Sequence, residues 1–175
     1  MNILYIDTHS TKNFNIGYFN GEIFVEKNGK DASCEMIDSI NELTKNNIDK
    51  IIINKGPGSL TGLRIGSSFA QGIALYKNIQ VLGISIWDIL LLEYPDTDIF
   101  FFTGTKKWIK KNSTEEIIFE DDFCLSNNKW ISNKPDLVPL DKTNNIEYSF
   151  SVSLMHKYQH IASKDINILY PINMF

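Results

Sequence analysis

The sequence predicts an α/β fold: a mixed β-sheet with parallel neighbours and helices on its faces. Three observations carry this. Up to Pro95, strand and helix segments follow in the order β-β-β-α-β-α-β-α. The second and third strands meet at Asn20-Gly21, a dipeptide favoured in type I′ hairpin turns because both positions need φ > 0. A glycine-rich string, Gly56 to Gly66 (GPGSLTGLRIG), leads from an apolar run into a helix. A hairpin meander followed by alternating helices and strands builds such a sheet.

Taken in order, Asn2 to Thr8 is a largely apolar first strand, and Phe14 to Asn20 and Glu22 to Lys27 are two more. Asp31 to Lys45 sets Met36, Ile37, Ile40 and Leu43 at helical spacing, with Asp31 or Ser33 as the cap. Lys50 to Asn54 is a short buried strand. Ser59 and Thr61 are natural caps for a second helix, Leu63 to Tyr76. Val81 to Ser85 is a fifth strand, and Ile86 to Tyr94 a third helix stopped by Pro95. Beyond Pro95 the pattern weakens. Asp98 to Thr103 and Glu116 to Glu120 read as strands, Asn127 to Asn145 as polar and turn-rich. Tyr148 to Ile161 reads as a helix and Ile166 to Tyr170 as a last strand. No internal repeat is visible. The pattern alone leaves ribonuclease-H-like and flavodoxin-like arrangements open.

A chain of 175 residues allows one compact domain or two small lobes. A hydrophobic content of 43% suffices for a core, and a net charge of −4 argues against a generic nucleic-acid surface. Cys34 and Cys124 lie in unrelated segments and are expected as reduced thiols. No basic leader precedes the first apolar run, which Asp7 interrupts, and no apolar stretch approaches the ~20 residues of a membrane span. A cytoplasmic protein is expected.

A strand, a glycine-rich turn and a helix in that order present backbone N–H groups to a phosphate or a partner. Gly56 and Gly58 permit unusual φ or close approach, and Pro57 fixes φ between them. The string is not a P-loop, because no Lys lies between Gly56 and Tyr76, and not a Rossmann fingerprint, because Thr61 stands where GxGxxG needs Gly.

The string resembles the characteristic turn of the TsaB (YeaZ) family, GPGSFTGLRIG, from which it differs only at Leu60. The resemblance continues through Ala70-Gln71-Gly72-Ile73-Ala74-Leu75, Val81-Leu82-Gly83-Ile84-Ser85 and Ile3-Leu4-Tyr5-Ile6-Asp7-Thr8. It covers about the first ninety residues. It implies a ribonuclease-H-like lobe of the actin, Hsp70 and sugar-kinase superfamily, expected at 1–95, with a reduced second α/β lobe at 96–175. It also implies a non-catalytic subunit in the synthesis of N6-threonylcarbamoyladenosine at adenosine 37 of tRNA. The implied partners are the catalytic homologue TsaD, met through a bundle of the first two helices, and the ATPase TsaE. ATP and Mg²⁺ would belong to the assembled complex, and tRNA would be reached indirectly. No tightly bound cofactor, metal or catalytic residue is expected in this chain, and a homodimer is expected when it is alone. A small nucleotide-dependent phosphotransferase or hydrolase of the same fold is the alternative.

Gly62, Gly66, Ala70 and Ala74 recur every four residues and form a stripe without bulk on the second helix. A bulkier stripe, Ile65, Phe69, Ile73 and Tyr76, buries more apolar area and is expected to face the core. That leaves the small stripe for a partner's helix. The expected interface takes in Met36 and Ile40 of the first helix, and Ser59, Thr61, Gly62, Leu63, Arg64, Gly66, Ala70 and Ala74 around the second. Arg64, the only arginine, reads equally as a solvated side chain or as a carboxylate or phosphate contact.

Asp7 and Thr8 end the first strand. An acidic residue there positions Mg²⁺-bound phosphate in nucleotide-binding relatives, but His9 and Asn13 depart from that pattern, and an Asx turn is the expected role. His156 and His160 have the i, i+4 spacing of two metal ligands, yet no third ligand accompanies them, and they read as ordinary surface histidines. Lys106, Lys107, Lys110 and Lys111 with Trp108 form a basic-aromatic cluster, expected as a lysine-protected strand edge with direct tRNA contact as the alternative.

Overall fold

A computed structural model of the chain describes residues 1–10, 13–45, 47–103, 106–111, 114–116, 129–138, 145–148 and 150–169. These fall into two compact units, one of the described residues within 1–86 and 150–169, the other of those within 87–148.

The first unit holds β1 (Ile3–Asp7), β2 (Phe14–Phe19), β3 (Phe24–Gly29), α1 (Met36–Thr44), β4 (Lys50–Asn54), α2 (Leu60–Lys77) and β5 (Gln80–Ile84). Its sheet runs β3-β2-β1-β4-β5, antiparallel across β3, β2 and β1 and parallel across β1, β4 and β5. Alternation along β1 and β4 sends side chains to both faces. Leu4, Ile6, Ile51 and Ile53 join Phe14, Ile16, Met36, Ile40, Ala70 and Ala74 in one cluster beneath α1 and α2. Helix α4 (Val152–Lys157) packs on β1, β2 and β3, with Val152 against Gly17 on the face that carries Tyr5. All five residues of β1 are buried, as expected of a strand covered on both sides.

The second unit holds all but the first residue of α3 (Ile86–Glu93), with β6 (Asp98–Thr103), β7 (Lys106–Lys111), β8 (Thr114–Glu116), β9 (Trp130–Ser132) and β10 (Asn145–Ile146). Its strand order, β8-β7-β6-β9-β10, and its strand directions repeat those of the first sheet. The duplication is one of topology, and no sequence repeat announces it.

Several expectations change. The proposed boundary at 95 gives way to one at Ile86, and the chain returns to the first unit at Phe150. Ser163 pairs with Gly83 in an isolated antiparallel bridge, Leu169 N donates to Lys55 O at 2.7 Å, and Lys55 pairs with Asp165. The helix expected over Tyr148–Ile161 is six residues of α4 followed by a 3-10 turn at Gln159–Ile161. No strand forms over 166–169; Tyr170, and Ile117–Glu120 of another expected strand, lie outside the described residues. The turn-rich reading of Asn127–Asn145 missed β9. The Asn20-Gly21 turn is not type I′, because only Gly21 has positive φ. The loop runs over four residues, and Asn20 Oδ1 accepts from Glu22 N and Ile23 N. Asp31 caps the turn before α1 through Ser33 N and Cys34 N, whereas Glu35 is the N-cap position of the helix. β7 lies between β6 and β8 and so is not a sheet edge.

Candidate functional site

The glycine-rich turn is built around its own chain. Gly56 takes φ +112°, which glycine tolerates, and its amide donates to Asn54 Oδ1 at 2.8 Å. Ser59 N donates to His9 O at 2.7 Å, and Ser59 Oγ, as the N-cap expected of it, accepts from Gly62 N at 3.3 Å. A Cβ on Gly58 would stand 2.7 Å from His9 Cβ. The turn thus lies flat on the β1–β2 loop, and the amides of Gly56, Ser59 and Gly62, which read as phosphate donors, are satisfied internally.

Beneath it sits Asp7, fully buried at the end of β1. Its Oδ1 accepts from His9 N at 3.1 Å and from Asn54 Nδ2 at 2.7 Å; Oδ2 accepts from Asn15 Nδ2 at 3.2 Å; and His9 Nδ1 lies 2.9 Å from both. Burial pushes the Asp7 carboxyl up, but the His9 charge and the hydrogen bonds from His9 and Asn54 together hold it below the usual carboxylate range. Burial likewise lowers His9, and the Asp7 charge and hydrogen bond more than reverse it. A carboxylate so enclosed is a turn-forming anchor. The residues do not fit a Mg²⁺-nucleotide, since Asp7 presents no open oxygen and Thr8 is buried against α2.

The small stripe of α2 lies inside. Gly62, Gly66, Ala70 and Ala74 are buried on the unit's own sheet, with Leu63. A side chain on Gly62 would collide with Thr8 O, and one on Gly66 with Thr8 Oγ1. Met36 is also fully buried in that core. These six are therefore not partner-facing as expected: their lack of bulk lets α2 sit close upon β1 and its loop. The bulky stripe faces the other way. Ile65, Phe69 and Ile73 are half-buried at the core's margin, and Tyr76 is 88% exposed.

Between α1 and α2 opens a groove of about 800 Å³. Its apolar wall combines Ile37, Ile40, Ile65, Phe69, Ile73 and Tyr76, and its polar margin includes Thr61, Arg64 and Lys77. Of the expected interface, Ile40, Thr61 and Arg64 line this groove; Ser59 caps α2 outside it. The sequence reading missed Ile37 and Tyr76 as surface residues, although their place on the helices was legible.

The two histidines part company. His156 Nδ1 lies 2.8 Å from Tyr5 Oη, and its ring stacks on Phe24 at 4.9 Å. Burial lowers the His156 pKa. His160 instead lies beside Tyr158. Among the described residues no group of three or more His, Cys, Asp or Glu is placed to hold a metal ion, and no helix is long and apolar enough to cross a membrane. Cys34 is exposed and free, and Cys124 lies outside the described residues, as do the side chains of the lysine-tryptophan cluster.

The TsaD family, described as tRNA N6-adenosine threonylcarbamoyltransferase, matches residues 34–97, from α1 through α3. The tRNA threonylcarbamoyladenosine biosynthesis protein TsaB of Haemophilus influenzae is 42% identical over 53 residues, which are 29% of this chain and 22% of that relative's length. YeaZ from Pseudomonas aeruginosa superposes with a TM-score of 0.66 at 14% identity, over 97% of this chain and 99% of that one. The chain is a homologue of the TsaB/YeaZ family. A second Pseudomonas aeruginosa structure, an uncharacterized protein with similarity to peptidase YeaZ, gives 0.68 at 13% identity over 97% and 98% of the two chains. The cytoplasmic domain of EpsL, an inner membrane component of the Vibrio cholerae type II secretion system, gives 0.52 at 8% identity, over 95% and 97%. The two β3-β2-β1-β4-β5-type sheets are those of an actin-like fold, as the YeaZ structures share. In this TsaB/YeaZ homologue, the matched segment contains both helices that wall the groove.

Proposed function

We propose that this chain is a non-catalytic partner subunit in threonylcarbamoyladenosine synthesis on tRNA, and that it binds a TsaD-type homologue through the α1–α2 groove. The observation that carries the reading is the exposed apolar wall of that groove, where Ile37 is 47% and Tyr76 88% exposed. Apolar patches of this kind, rimmed by polar residues, mark protein–protein contacts. The relatives' names supply the process and the homologous catalytic chain. In this reading the chemistry, with ATP and Mg²⁺, belongs to the assembled complex. TsaE joins through that complex, and tRNA is reached through the partner. When alone, the chain covers the same groove with a second copy of itself.

The enclosed Asp7 carboxylate argues for this reading over the nucleotide-dependent phosphotransferase or hydrolase. The test is co-expression with the TsaD-type homologue from the same genome. A stable heterodimer is expected with the wild-type chain and is lost with Ile37→Asp/Tyr76→Asp, while each protein stays folded. A heterodimer unaffected by the double substitution would remove the groove from the interface. Calorimetry of the isolated chain with Mg-ATP is expected to give no binding heat, and saturable binding would favour the enzyme.

A further inference from the structure

Gly72 is the one glycine of α2 that the chain's own packing does not explain. Gly62 and Gly66 are walled by Thr8 and Ser10, whereas a Cβ on Gly72 would meet nothing within 4 Å. Its φ is not left-handed, so no turn requires glycine. In an exposed helix interior glycine is the least favourable residue short of proline. Yet Gly72 lines the groove, one turn after Ser68 and one before Tyr76, which stand on the same strip of the helix. Ser68 and Gly72 leave a notch beside the ridge of Ile65, Phe69 and Ile73.

The groove also has a sign. Arg64 and Lys77 line it, and no carboxylate does. The two cations stand thirteen positions apart along α2, roughly 20 Å of helix at 1.5 Å per residue. Arg64 forms no ion pair among the described residues.

We infer that Gly72 is a specificity-determining residue of the heterodimer: the occupant is an apolar-faced helix bearing carboxylates toward Arg64 and Lys77, and its backbone closes on α2 at the Ser68–Gly72 notch. Interaxial distance depends on the side chains at the crossing, and the smallest residues permit the closest approach. The inference rests on the partner-subunit reading and narrows it to a crossing point and a charge.

Three variants test it against the wild-type chain and the Ile37→Asp/Tyr76→Asp control, in titrations with the TsaD-type homologue and in thermal melts. Gly72→Ala raises the Tm by about 2–4 °C, because only helix propensity changes. Gly72→Leu keeps a Tm at or above wild type and weakens the heterodimer about 10- to 100-fold, the range expected of overpacking a close crossing. Arg64→Glu weakens it about tenfold and flattens its salt dependence. If Gly72→Leu binds like wild type while the control does not, the crossing point is wrong and the partner reading stands. If the control also binds, both fail. A fall in Tm for Gly72→Ala would contradict the open space at this position. Arg64→Glu binding unchanged would remove the acidic occupant. Should Gly72→Leu alter only self-association in sedimentation, the occupant is a second copy and the inference is overturned.

Discussion

Asn54 Nδ2 donates to Asp7 Oδ1 at 2.7 Å, tying the end of β4 to the end of β1 at the centre of the first sheet. His9 completes the cluster from the following loop, and its carbonyl holds Ser59 at the start of α2. The buried pair therefore fixes both the central strands and the helix that presents the groove.

The Asp7–His9 pair gives a defined pH window. Asp7, with its pKa depressed, contributes stability above the ordinary carboxylate range near 3.9 and loses it as pH falls through the lower folded value. His9, with its pKa raised, contributes fully below about 6.5 and loses it as pH rises through the higher folded value. The pair is strongest between those limits. His9→Gln is expected to destabilise by on the order of 2–3 kcal/mol at pH 5–6 and by less above neutrality, measured by urea denaturation across pH. A deficit that grows with rising pH would reject the pairing.

His156 acts in the opposite sense. Burial lowers its pKa, so the unfolded chain takes up a proton first as pH drops below about 6.5, and folding stability declines there. His156→Phe keeps an aromatic ring on Phe24 and removes that titration. The variant is expected to show a flatter stability profile between pH 7 and 5 than wild type; an equal slope would exclude His156 as its source.

Gly66→Leu is expected to damage the fold itself. The added side chain would drive into Thr8, which is buried at the start of the β1–β2 loop. Overpacking at such a site costs about 1–3 kcal/mol or more. A lowered Tm together with lost partner binding is expected. Loss of binding at an unchanged Tm would return the small stripe to the interface.

A fragment ending at Pro95 is expected to fold poorly, because Phe150–Leu169 belongs to the first unit. Its removal uncovers Tyr5 and Phe24, which His156 packs against, and takes away the Gly83–Ser163 bridge. The fragment should lack a cooperative melt, and addition of a peptide spanning 150–169 should restore part of it. A sharp melt for the fragment alone would show the returning segment to be dispensable.

Much of the first unit was legible. Short apolar runs at Ile3–Asp7 and Lys50–Asn54 carry a strong local signal, and Ser59 announces the start of α2 by its capping chemistry. The second unit was harder, because β8, β9 and β10 are two or three residues long, too short for periodicity to register. The Asp7 cluster was half visible: its turn was expected, but Asn15 reaches it from the next strand and Asn54 from a strand 47 residues on, contacts that strand pairing alone creates.

By itself the sequence determined the order of elements up to Pro95, the glycine-rich junction before α2 and the two stripes that this helix carries. Those features depend on φ/ψ preference and spacing, which are local. Only the tertiary structure decided which stripe goes inside. Bulk argued for Ile65, Phe69 and Tyr76, yet α2 lies so close to Thr8 that only Gly62 and Gly66 fit beneath it. The distance between a helix and its sheet is set by residues from β1 and its loop, far away in the chain. Close approach there excluded the larger side chains from the core and left them on the groove.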